Sequence, residues 1–187
     1  VDREGVSREA VSLTSHGAAA GVVLDAVRVE DDEVLTGGSM PVQQARMLGR
    51  IALAAVQAGV CEEAIAITAA YTSERIQFDR PLSANQAVSA RAADAHLDAE
   101  RIKLTTRRAA WLVDQGGDGA ESASLVASWW AAHGGLRVVL ATQHLHGGMG
   151  ADIDYQIHRY FLWGRQNAYS LGSAPALMSE LGSMLET

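Results

Sequence analysis

The chain has 187 residues, enough for one compact core or for one domain with an appendage. Its net charge of −7 and pI near 5.3 argue against nucleic acid as a partner, because phosphate binding needs a basic surface. No apolar run reads as a bilayer span, and Asp2, Arg3 and Glu4 leave no apolar signal core at the start, so no membrane is expected.

The first element lies in Gly21 to Leu35, GVVLDAVRVEDDEVL. Val23, Val27 and Val29 predict a short strand or hairpin arm, and Asp31-Asp32 with Glu33 predict a turn rather than a metal site. Gly37-Gly38-Ser39 then breaks the pattern. Residues 1–38 therefore read as an incomplete β element. An isolated strand pair is marginal in water, so the chain is expected to lack, or borrow, the rest of a sheet. Its start at Val1 rather than methionine agrees with a piece of a longer protein.

Everything after the glycines reads as helix. Helix one is predicted from Pro41, which suits a first turn, to Arg75, roughly 50 Å at ~1.5 Å per residue. It carries the single cysteine, Cys61, which excludes an internal disulfide. That usage fits a reducing cytoplasm, and the thiol reads as a small buried hydrophobe. Helix two is predicted over Ser83 to Gln115. Val88, Ala92, Ala95, Ala99, Ile102, Thr106, Ala109 and Val113 form a bundle seam, and Gly116-Gly117 ends it. Helix three runs from Glu121 to His146 on Leu125, Trp129, Ala132, Leu136 and Val139. A shorter helix is predicted over Ile153 to Trp163. A last one starts at an N-cap, Ser173, and carries Leu177, Leu181 and Leu185. The expected fold class is mainly α: an up-and-down antiparallel bundle over residues 39–187.

Two blocks carry chemistry. The first is Tyr71-Thr72-Ser73-Glu74-Arg75-Ile76-Gln77-Phe78-Asp79-Arg80-Pro81-Leu82, with Gln86 following. An arginine and an aromatic at a helix end, with a glutamine opening the next helix, suit an anion and a ring. They suit equally a helical hairpin sealed by Phe78, the reading favoured by the block alone. The second is His144-Leu145-His146-Gly147-Gly148-Met149-Gly150. Its glycines allow close backbone approach to a ligand and present N–H donors to phosphate, although helix ends use the same residues.

In this order and on these helices the blocks resemble the acyl-CoA dehydrogenase family. Its C-terminal bundle carries Y-x-x-x-R-x-Q-F-G, then F-Q, then Q-x-H-G-G-x-G, and V-L-D-x-V-R-V resembles the end of its middle β-domain. The resemblance covers essentially the whole chain and implies an FAD contact made in trans, to the flavin of a neighbouring subunit. By that match Arg75 pairs with the pyrophosphate, Phe78 packs on the dinucleotide and Gln86 hydrogen-bonds it. Gly147 and Gly148 admit the adenosine diphosphate end. Asp79 replaces the family's glycine, Asn85 its aromatic, and His144 its glutamine, with Gln143 adjacent.

The same resemblance exposes a gap. The family abstracts an α-proton from an acyl-CoA thioester with a glutamate at one of two positions. Here those positions hold Leu171 and Gly49, the latter followed by the expected Arg50. An often acidic contact is Met47, and the family's R-D pair is Leu162-Trp163, while Tyr155 and Arg159 are kept. No catalytic base is therefore assigned. The chain resembles the base-less subunit of actinobacterial α2β2 acyl-CoA dehydrogenases linked to steroid side-chain degradation, in which the other subunit brings the base. That implies a second acyl-CoA dehydrogenase subunit as partner, or self-association. The competing expectations are a flavin-free assembly partner and a homomeric enzyme with an unconventional base.

Other residues have plain readings. His16, His96, His133, His144, His146 and His158 show no metal spacing and read mostly as surface or capping groups. Trp129-Trp130 read as packing. Arg107-Arg108 and Arg101/Lys103 read as a solvated face. Glu62, Glu63 and Glu74 are not promoted to a base.

Overall fold

A computed structural model describes residues 3–15, 17–170 and 172–184. Leu171, His16 and Leu185 lie outside the described residues. The chain divides into two compact units, 1–45 and 46–187.

In the first unit, β1 (Val6–Ser12) pairs antiparallel with β2 (Ala18–Leu24), Val6 facing Leu24 and Ser12 facing Ala18. The sequence located one arm on Val23, Val27 and Val29. The structure ends β2 at Leu24 because Ala26 turns to φ 47°, so Val27 and Val29 fall beyond it. Val22, Val23 and Leu24 are more than half exposed, as an unfinished sheet leaves them. Asp31–Glu33 form a turn, and the Arg3 guanidinium grips the Glu33 carboxylate at 2.6 and 2.8 Å and the Arg28 carbonyl.

The second unit is a helical bundle built on α1 (Met40–Glu74) from Arg46 onward, α2 (Gln86–Asp114), α3 (Ala120–Leu145), α4 (Gln156–Ser170) and α5 (Ala174–Ser183). Between α1 and α2, β3 (Ile76–Gln77) and β4 (Arg80–Pro81) form a minimal hairpin. The predicted seam of α2 is the inward one: Ala95, Ala99, Ile102, Thr106 and Ala109 are buried, and Val88, Ala92 and Val113 half-buried. The turn after α2 is a Schellman motif: Gly116, at φ 61°, donates to the Val113 carbonyl and Gly117 to the Leu112 carbonyl. The start of α2 is capped by Asn85, whose side chain accepts from the Ala87 amide at 3.0 Å.

α3 is the central helix, with small residues buried on several sides. Gly134 lies against Ile102 and Asp98 of α2, and Arg137 pairs with Asp98, so α2 and α3 are antiparallel. On another side Gln57 of α1 fills the space over Gly135, so that a Cβ there would overlap it. Gln57 also donates to the Gly164 carbonyl at 3.3 Å and accepts from Asn167 at 3.0 Å, joining α1 to α4. Cys61 is fully buried in the same seam, and burial pushes its thiol up to about 12, which makes it inert packing.

Three readings need correction. α1 contains an 18-residue window of mean hydropathy 1.5, long and apolar enough to cross a membrane, contrary to the expectation from the chain alone. Its inward line nevertheless carries Gln57, Thr68 and Thr72, each hydrogen-bonded inside the unit, as suits a bundle helix. α4 starts at Gln156 and runs to Ser170, not Ile153 to Trp163. Asp152 accepts from the Asp154 amide and holds the chain in a turn, and the next stop is Gly172 at φ 86°. Ser173 caps α5 by position, but its hydroxyl bonds no amide.

Arg101 is also not simply solvated. It pairs at 2.7 Å with Asp98, a carboxylate only 1% exposed, and lies over the Trp130 ring. Arg137 takes the other carboxylate oxygen at 3.1 Å. Two guanidiniums thus satisfy one buried charge, and removing either would leave it underpaired. Lys103 bridges Glu62 and Glu100 at 3.5 Å.

Candidate functional site

The residues singled out by the two sequence blocks gather at one end of the bundle. α1 and α3 run parallel, since Gln57 meets Gly135 and Thr68 meets His146. The start of α2 lies beside the end of α3, where Arg91, Asp94, Arg137, Leu140 and His144 line a groove of about 420 Å³. Arg75, Phe78 and Gln86 on the α1–α2 connection therefore share an end with the Gly147–Ala151 turn.

Each residue arrives there for a local reason. Ile76 pairs with Pro81 and Gln77 with Arg80, leaving Phe78 and Asp79 as a two-residue loop. Both have positive φ, 54° and 61°, as a type I′ turn requires. Asp tolerates this region, whereas a bulky Phe is an outlier costing on the order of 1 kcal/mol or more. The same geometry holds Phe78 89% exposed. The hairpin is thus not sealed by Phe78; the ring is presented outward. Arg75 is exposed and makes no ion pair among the described residues. Gln86 is exposed in the first turn of α2.

At the other side, Gly147 (φ 63°) and Gly148 are exposed, and a Cβ on either would meet nothing within 4 Å. Gly150 differs, because a Cβ there would overlap the Gln143 carbonyl. Gln143 donates to the Gly150 carbonyl at 3.0 Å, so its side chain is engaged in folding the turn. His144 opens onto the α2–α3 groove instead.

The sequence reading missed His146. Its ring is 2% exposed, stacks on Tyr71 at 4.3 Å, and has a partner on each nitrogen: Thr68 Oγ1 at 3.2 Å from Nε2 and Tyr155 Oη at 3.0 Å from Nδ1. Burial holds its pKa below the ordinary imidazole value and raises that of Tyr155. Thr68 spends its proton on the Ala64 carbonyl at 2.7 Å, so it accepts from an Nε2–H, and Tyr155 donates to Nδ1. The signal was present: His146 is the histidine inside the H-G-G text, and Thr68 and Tyr71 lie on α1's inner side.

Near the two base positions, Gly49 is exposed on α1 with open space around it. Leu171 lies outside the described residues. Arg50, one residue on, pairs with Glu180 of α5 at 2.5 Å, and Arg46 reaches the same carboxylate at 3.3 Å. The Arg50 hydrogen bond holds the Glu180 pKa below the usual carboxylate value. Met47 packs against the core, and Trp163 is half-exposed.

Residues 37–180 match the family model of the acyl-CoA dehydrogenase C-terminal domain. The chain belongs to the acyl-CoA dehydrogenase family. It is 34% identical to the acyl-CoA dehydrogenase FadE27 of Mycobacterium tuberculosis, over 97% of this chain and 50% of that protein. Among solved structures, the Tcur3481-Tcur3483 steroid ACAD G363A variant is 43% identical with a TM-score of 0.92, covering 99% of this chain and 50% of that one. The ChsE4-ChsE5 complex from Mycobacterium tuberculosis is 35% identical with a TM-score of 0.93, covering 98% and 50%. The chain thus spans about half the length of the relatives it matches, and their family resemblance agrees with the one its motifs carry.

Proposed function

We propose that this chain is the C-terminal part of a subunit of an FAD-dependent acyl-CoA dehydrogenase, a subunit that lacks its own catalytic base and completes the flavin site of a partner. Residues 1–38 would then be the end of the middle β-domain and 39–187 the C-terminal bundle domain. The observation that carries the reading is a contrast in preparation. Arg75 makes no ion pair among the described residues and Phe78 is held out in a strained turn, while Gly49 offers only open space.

The residues fit a dinucleotide diphosphate. Arg75 would pair with the pyrophosphate, a partner suited to a planar guanidinium. Phe78 would pack on the dinucleotide, and Gln86 and His144 would hydrogen-bond it. Gly147 and Gly148 would let the backbone approach. FAD, when bound, supplies the hydride acceptor for α,β-oxidation of an acyl-CoA thioester. This chain's part is to bind, orient and exclude water; the partner subunit's part is to remove the α-proton. The partner is a second acyl-CoA dehydrogenase subunit, and the assembly works in the cytoplasm. The similarity to a steroid ACAD favours a steroid-derived acyl-CoA.

Asp79 favours the competing flavin-free assembly role, because its carboxylate sits on the same turn as Phe78 and would repel a diphosphate. The test is turnover by the full-length protein alone and with its partner subunit. The proposal expects activity only in the pair, abolished by removing the partner's base. Activity of the full-length protein alone would contradict it, and a pair without flavin would favour the assembly role.

A further inference from the structure

The proposed flavin-facing end is assembled from two separate stretches of chain. Arg75 and Phe78 follow α1, and Gly147 and Gly148 follow α3. Each stretch has local bonds that shape it, the β3–β4 hairpin in one and the Gln143–Gly150 bond in the other, but these do not tie one stretch to the other, and Arg75, Phe78, Gly147 and Gly148 are all exposed. What joins them is one buried ring. His146 immediately precedes Gly147, and its stacking partner Tyr71 lies one helical turn before Arg75, whose amide donates to the Tyr71 carbonyl at 2.9 Å.

We propose that His146 is a positioning residue for the flavin-facing end: its ring, stacked on Tyr71 and hydrogen-bonded on both nitrogens, holds the α1 terminus that carries Arg75 and Phe78 in register with the Gly147–Gly148 turn. This rests on the reading of that end as the flavin contact, but the mechanical part stands apart from it.

Geometry requires one protonation state. The groups facing the ring are Thr68 and Tyr71 from α1 and Tyr155 from the segment before α4, and among the described residues no charged side chain is one of its hydrogen-bond or ring partners. With Thr68's proton committed to Ala64, Nε2 must donate and Nδ1 must accept. A proton on Nδ1 would force Tyr155 to reverse its hydroxyl and would place an uncompensated charge where the ring is desolvated. The neutral ring is therefore the one that locks the two stretches. Because the folded-state pKa is lowered, the unfolded chain binds more protons just below the ordinary imidazole value, and the lock weakens as pH falls through that window.

The experiment uses the full-length protein assembled with its partner, wild type, His146→Gln and Tyr155→Phe. Two quantities are followed from pH 7.5 to 5: FAD affinity of flavin-stripped protein, and hydrogen–deuterium exchange, corrected for intrinsic rates, of peptides covering 71–78 and 146–150. In wild type, protection of both segments is expected to fall with one shared midpoint, and FAD affinity to drop about tenfold, the worth of one hydrogen bond. In His146→Gln the shared midpoint disappears, and in Tyr155→Phe it moves. Segments that respond independently, or a His146→Gln profile identical to wild type, would overturn the proposal. If both segments respond together but wild type binds no FAD, the lock stands and the flavin reading fails.

Discussion

The middle of the bundle and its open end both depend on glycine, for opposite reasons. At Gly135 and Gly164 a Cβ would overlap the side chains of Gln57 and Val139, so the missing atom is already replaced by the protein itself. At Gly147 and Gly148 a Cβ would meet nothing within 4 Å. A packing glycine is explained by the chain that contains it. Gly147 is explained in part by its positive φ; Gly148 has open space around it, as Gly49 does, and packing among the described residues does not account for it. The same division separates the aromatics: His146 and Tyr71 are stacked inside, while Phe78 is strained and presented outward.

The comparison is sharpened first at its inner half. Gly135→Ala drives a methyl group into Gln57 and disturbs its bonds to Gly164 and Asn167. A loss of about 1–3 kcal/mol is expected in a denaturant titration, as for overpacked cores. A smaller effect of opposite sign is expected at Gly49, which is helical with open space. There Gly49→Ala should stabilise by about 0.5–1 kcal/mol through helix propensity alone. Gly148→Ala should leave stability within about 0.5 kcal/mol of wild type. It should nonetheless weaken flavin retention by the assembled pair, measured from absorbance after gel filtration. A stability loss at Gly148 like that at Gly135 would break the distinction.

Much of the helical architecture was legible because its causes are local and periodic. α2 and α3 follow their seams, α1 follows Pro41 and the uninterrupted run behind it, and Gly116-Gly117 stop α2 by a turn that only glycine adopts freely. α4 was misplaced because its start depends on an Asp152 turn rather than on hydrophobic spacing. β1 was missed because it has no alternation to betray it; its partner β2 defines it. At the candidate site the motif text named Arg75, Phe78, Gln86, Gly147 and Gly148, but not what the departures do. Asn85 stands where the family has an aromatic and caps α2, and Asp79 stands in the left-handed position that explains the family's glycine. His146 escaped because a buried histidine and a surface one look alike until its partners on α1 and before α4 are brought to it.

The central claim is that this end of the bundle serves a flavin held with a partner subunit. Its most direct test is flavin stoichiometry in the full-length protein co-purified with that partner, for wild type and Arg75→Ala. Arg75 has no ion pair among the described residues, so the substitution should leave the melting temperature unchanged. The account predicts about one FAD per heterodimer in wild type. It predicts at least tenfold weaker retention in Arg75→Ala, the loss of a charge-assisted phosphate contact worth about 1.5–3 kcal/mol. Equal flavin content in the two proteins, or one FAD per chain in a homomeric assembly that oxidises acyl-CoA unaided, would contradict it.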